Sequence, residues 1–188
     1  MSRSSIKLLY LVIAGWFAGA ILMLPAWAQQ GNRASGQATE QARLEKEVRR
    51  ALVTQPFYSL FDNLAFKVDG DRVTLMGQVV TPTLKSDAAN TVKSIEGVAA
   101  VDNQIEVLPV SPTDNRIRRA VFHAIYSAPG MQKYAIQAVP PIHIIVKNSH
   151  VTLIGVVLNE ADKTLANLRA KSVPGVFSVT NQLVAENK

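Results

Sequence analysis

Three histidines, His123, His143 and His150, and two aspartates in the stretch DGDR, Asp69 and Asp71, have side chains that could hold a metal or move a proton. Neither set has the spacing for it. The histidines do not repeat at the short intervals that bring imidazoles around one ion. His143 and His150 flank a hairpin turn predicted at Asn148-Ser149, with His150 beside the turn and His143 several rungs away. The aspartates of DGDR lack the further oxygen ligands of a calcium loop, and turn chemistry accounts for them. There is no cysteine in the 188 residues, hence no thiol nucleophile, no disulfide and no lipid-modified cysteine. No glycine-rich phosphate loop follows any predicted strand. No serine or threonine has a visible base. The expectation is a protein that is not an enzyme, with no cofactor and no metal.

The chemistry that remains is binding. In the helix predicted over 115–127, Ile117, Ala120, Val121, Ala124 and Ile125 form the apolar stripe. Turning about 100° per residue from Ile117 places Arg118 near 100°, Phe122 near 140°, Tyr126 near 180° and Arg119 near 200°. Two rings flanked by arginines then face away from the core. Arginine pairs with lipid phosphate, and aromatic rings favour the headgroup boundary. The loop that follows, APGMQKYAIQAVPP, adds Lys133 and Tyr134. These six residues are the candidate phospholipid-binding site. Two other uses of the surface stay open. The rings could pack on the first half of the chain, or the patch could hold a protein partner.

The charge asymmetry points to an anionic partner, with plain solubility as the alternative. Residues 29–110 hold 9 basic and 10 acidic side chains, whereas residues 111–188 hold 9 basic and 4 acidic. For an exported chain the expected partner is a membrane surface rather than nucleic acid. Export is read from the first 28 residues. Arg3 and Lys7 precede the apolar run LLYLVIAGWFAGAILML, and Ala26-Trp27-Ala28 follows Pro25. That is the layout of a secretory signal peptide cleaved after Ala28, an uncleaved anchor being the alternative. The expected location is the periplasm.

The elements that must position these residues come twice. VTLMGQVV at 73–80 returns as VTLIGVVL at 151–158, and the register holds without a gap through NQIEV and NQLVA. A repeat this long marks two whole modules. After a flexible tether at 29–42, each module reads helix, strand, strand, helix, strand. Module 1 spans 43–108, a linker 109–114, and module 2 115–188. The predicted fold class is α+β, two tandem α-β-β-α-β modules, each a small mixed three-stranded sheet covered by two helices. Modules this small bury little apolar surface, so the pair is expected to pack together. Gly77 is expected to mark a bulge or a close helix approach, and Gly97 and Gly175 a left-handed corner after a helix.

The motif VTLxGxV, a helix containing Ala88 or Ala166, then Gly97-Val98 or Gly175-Val176 and Asn103-Gln104 or Asn181-Gln182, resembles the BON family, named for bacterial OsmY and nodulation proteins. Two copies behind a signal peptide resemble the dual-BON periplasmic proteins. The resemblance implies an exported, non-enzymatic module tied to envelope integrity or osmotic stress, with anionic phospholipid as a ligand of some members. An envelope protein partner is the alternative.

Overall fold

The computed structural model describes residues 26–186, with side chains from residue 38 onward. The expected signal peptide lies outside the described residues except for Ala26, Trp27 and Ala28. Module 1 consists of α1 (Ala26–Val53), β1 (Asn63–Asp69), β2 (Arg72–Val79), α2 (Pro82–Lys93), β3 (Ala100–Asn103) and β4 (Glu106–Val107). Module 2 consists of α3 (Pro112–Tyr126), a 3-10 turn at Gln132–Ile136, β5 (Ile142–Lys147), β6 (His150–Val157), α4 (Glu160–Lys171) and β7 (Ser178–Ala185). Among the described residues no helix is long and apolar enough to cross a membrane.

The two sheets have one topology. The central strand, β2 or β6, runs antiparallel to the strand before it and parallel to the strand after its helix. Alternation drives this. Val73, Leu75 and Val79 of β2, and Val151, Leu153 and Val157 of β6, are fully buried beneath the helices. Leu44, Val48 and Leu52 of α1 match Ile117, Val121 and Ile125 of α3 at the same i, i+4, i+8 spacing, and all six are buried.

The repeated asparagine ties the last strand to the helix before it. Asn103 Nδ2 donates to the Lys85 carbonyl at 2.9 Å, and Asn181 Nδ2 to the Lys163 carbonyl at 3.1 Å. In module 1 the expected last strand is interrupted between β3 and β4, whereas β7 runs unbroken.

Two expectations change. The segment 29–42 is helical, as part of α1, rather than a flexible tether. Once Leu44 to Leu52 is anchored on the sheet, each residue added toward the N-terminus gains a hydrogen bond without a new nucleation cost. The module 2 helix starts at Pro112, inside the expected linker, because Ser111 caps it by accepting from Asp114 N–H at 3.1 Å and proline suits the first turn.

Gly77 and Gly155 answer a strand, not a helix. A Cβ on Gly77 would sit 2.0 Å from the Asn63 carbonyl oxygen, and one on Gly155 would sit 1.8 Å from that of Pro141, with φ of +110° and +133°. The strand in front crosses too closely for any side chain. Gly97 and Gly175 take φ of +91° and +92° after their helices, in the left-handed corner expected of them.

The modules pack on each other through the loop between α1 and β1. Leu60 and Phe61 lie against the core of module 2. The Leu60 carbonyl accepts from Ile144 N–H at 2.8 Å, so this loop covers the outer edge of β5. Lys147 pairs with Glu106 across the same junction.

Candidate functional site

The helix α3 carries four of the six candidate residues, and its surroundings decide which of them reach solvent. Ile117, Val121 and Ile125 press it onto the sheet of module 2, as the periodicity requires. Its flank is closed a second time, by Leu60 and Phe61 of module 1 and by the loop through Met131 and Tyr134.

Tyr126 is therefore 5 % exposed, and its hydroxyl donates to the Ile142 carbonyl at 2.9 Å. Burial raises its pKa above the usual phenol range. Arg118 is 3 % exposed. Its Nη2 donates to the Val146 carbonyl at 2.7 Å and its Nη1 to Asn115 Oδ1, while Nε has no hydrogen-bond partner. Burial pulls the guanidinium pKa down, opposed by the charges of Asp114 and Asp62. In module 1 the matching carbonyl, that of Val68, is met from Gln41 Nε2 at 3.5 Å. Arg118 thus does for the edge of β5 what Gln41 does for the edge of β1.

Tyr134 is 6 % exposed. Its hydroxyl donates to Asp162 Oδ2 at 2.7 Å and accepts from Leu158 N–H at 2.8 Å. Lys133 Nζ pairs with the same Asp162 oxygen at 2.7 Å. Burial works against the charged form of Asp162, yet Lys133 and Tyr134 hold its pKa below the ordinary value. Phe122 is half-buried, with its ring 5.0 Å from that of Tyr126. Arg119 is exposed.

The expected outward face of rings is therefore not where the helical angles put it. Arg118, Tyr126 and Tyr134 are sealed into module 2 and its junction with module 1. Arg119, Lys133 and an edge of Phe122 remain accessible. Helical angles account for one packing partner, and α3 has two.

The histidines do not converge. His143 Nδ1 lies 2.6 Å from the Asp62 carbonyl oxygen, and its ring stacks on Tyr58 at 5.7 Å. His150 meets Ser178 Oγ, and His123 is exposed. Among the described residues no group of three histidine, aspartate or glutamate side chains could hold a metal. The open faces of the two sheets bound a cleft of about 400 Å³, lined by Asn63, Gln78 and Glu106 on one side and by Lys147, Thr152 and Ile154 on the other.

One difference between the modules does not show in the helix taken by itself. Arg43 in α1 and Arg116 in α3 both precede the first buried residue of their stripe, and both reach the glycine corner of their module. Arg43 is clamped by Glu40 at 2.6 Å and Glu47 at 2.8 Å, and it donates to the Glu96 carbonyl at 2.9 Å. At the matching positions of module 2 stand Thr113, Ala120 and Pro174. Arg116 is exposed and makes no ion pair among the described residues. Arg119, Arg169 and Lys171 share that condition. A Cβ on Gly175, after α4, would lie 3.6 Å from Arg116 Nη2, so the end of α4 and the start of α3 are neighbours. The sequence held the signal for this, in the carboxylates lost when the two leading helices are laid over each other.

The family model of the BON domain matches residues 40–109 and again 113–187. No curated protein matches. Two solved structures from Chlamydia trachomatis are similar. One is the C-terminal domain of CdsD, a structural protein of the type III secretion system, at 12 % identity and a TM-score of 0.31, covering 77 % of this chain and 98 % of that one. The other is a second structure of CdsD at 14 % identity and a TM-score of 0.29, covering 76 % and 92 %.

Proposed function

The chain belongs to the BON domain family, twice over, and from that premise we propose that it is a non-enzymatic protein of the periplasm that docks weakly on anionic phospholipid through module 2 and supports envelope integrity. The observation that carries this reading is the unclamped cation of module 2. Arg116 is the fifth residue of α3, exposed and without an ion pair among the described residues. No carboxylate among the described residues pairs with it as Glu40 and Glu47 pair with Arg43. A cation kept exposed and unpaired there suits an anion that arrives from outside. Arg119 lies one turn on, and Arg169 and Lys171 extend the charge across the end of α4.

The magnitudes fit a peripheral contact. Four cationic side chains near an anionic leaflet contribute ~1 kcal/mol each. A total of about 4 kcal/mol corresponds to a dissociation constant on the order of 10⁻³ M. With Tyr126 and Tyr134 buried, little aromatic insertion adds to it. Docking of this kind is weak and salt-sensitive.

Co-sedimentation with vesicles of phosphatidylglycerol and phosphatidylethanolamine tests the reading. The parent protein pellets at low salt, is released at high salt, and ignores phosphatidylcholine vesicles. Arg116→Glu/Arg119→Glu, both at exposed positions, loses the pelleting. Equal pelleting of that variant and the parent removes the assignment. Failure of both to pellet, with a stoichiometric envelope protein captured instead, favours the adaptor alternative.

A further inference from the structure

The last strand differs between the modules in a way that the shared fold does not require. In module 1 the outer edge is broken between β3 and β4 and carries Asp102 and Glu106. Breaks and inward or edge charges are how a sheet keeps its free edge from pairing with another chain. In module 2 the matching strand, β7, runs for eight residues without a break and has no charged residue and no proline in SVTNQLVA. It is an edge strand, since the sheet order is β5-β6-β7. The other edge, β5, is already covered by Leu60.

The end of this edge is also apolar. Val184 is 60 % exposed beside its register partner Val156 at 42 %, and Val156 shares a pocket with Leu158 at 47 %. Their counterparts in module 1 are Glu106, Gln78 and Val80. Glu106 and Gln78 belong to the face with which module 1 meets module 2. Module 2 thus repeats an interface face in apolar form.

We propose that β7 and this patch form the contact between two copies of the chain, the two β7 strands pairing antiparallel about a two-fold axis. A head-to-tail contact, with module 2 of one copy taking module 1 of the next, fails on chemistry. The surface it needs on module 1 holds Lys67, Asp69 and Arg72 where module 2 has Ile145, Lys147 and His150. An apolar patch gains nothing against those charges. A two-fold instead sets Val184 of each copy beside the same patch of the other, as an isologous interface requires. The rim is self-complementary too, because Lys133 and Glu186 both border the patch.

The chain has no cysteine, so single-cysteine variants report contacts cleanly. The expected result is a protein of twice the chain mass by light scattering in lipid-free solution. V184C and Q182C are expected to cross-link to homodimers with a short thiol-specific reagent. V184K, and separately T180K at an exposed position on the same strand, halve the mass while keeping the far-ultraviolet circular dichroism of the parent. A monomer at every concentration overturns the proposal. So does a product from mixed V184C and D69C without V184C homodimer, which marks head-to-tail contact. V184C homodimer only when vesicles are present overturns it as well, because the patch then touches lipid. No lipid enters the decisive arm, so failure of phospholipid docking leaves this test untouched.

Discussion

Arg118 shows how one side chain can have the composition of a ligand contact and the role of a structural clasp. Its guanidinium caps the Val146 carbonyl beneath the module junction, and one of its nitrogens is left without a partner. Replacing it by alanine is expected to cost about 2–3 kcal/mol, the usual penalty for removing a charged partner from a buried hydrogen bond. Tyr126→Phe removes only the hydroxyl bond to Ile142, for about 1 kcal/mol. Chemical denaturation would show both as lower midpoints. Neither effect would change with lipid, whereas Arg116→Glu/Arg119→Glu should lose vesicle binding with stability nearly unchanged. That contrast separates the residues inside α3 from those on it.

At the scale of elements, glycine marks where two strands cross rather than where the chain bends freely. Gly155→Ala would drive a Cβ to 1.8 Å from a carbonyl oxygen at φ +133°. The expected loss exceeds about 3 kcal/mol, enough to unfold module 2. Gly70 has nothing within 4 Å of its missing Cβ and differs only in its φ of +62°. Gly70→Ala is expected to cost about 1 kcal/mol. Thermal melts of the two variants check the order. Much of this was legible in the sequence. The in-register repeat of VTLxGxV and of the NQ pair specifies the order of elements in both modules but not the order of strands in the sheet, and alternation in β2 and β6 specifies which side faces the helices. The start of α3 is not legible, because Ser111-Pro112 reads as linker and not as cap and first turn. Tyr126 was misplaced for a different reason. A helical stripe reports one apolar neighbour, and no local pattern in TQPFYSLFD announces that Leu60 and Phe61 will close a second side.

The whole molecule depends on how that loop holds the two modules together. His143 sits inside the junction, hydrogen-bonded to the Asp62 carbonyl and stacked on Tyr58, with the Asp62 carboxylate as the charged group acting on it. Burial, partly countered by the Asp62 backbone, lowers its pKa below the ordinary 6.5. The neutral imidazole is thus the folded form, and the unfolded chain binds the proton more readily. Stability is full above about pH 6.5, falls as the pH drops below that value, and levels off once the folded-state pKa is passed. Melting temperature followed from pH 8 to pH 5 should show the decline, and His143→Asn should flatten it.

Docking depends on a cation that module 1 neutralises and module 2 leaves unpaired among the described residues. Thr113→Glu/Ala120→Glu rebuilds in module 2 the clamp that Glu40 and Glu47 make around Arg43, leaving every arginine in place. Vesicle binding of this variant, measured against phosphatidylglycerol content at fixed salt, is the most direct test. Affinity should fall at least tenfold, while the same vesicles still bind a Thr113→Gln/Ala120→Gln control. Undiminished binding by the clamped variant would contradict the assignment of the docking surface to Arg116 and its neighbours.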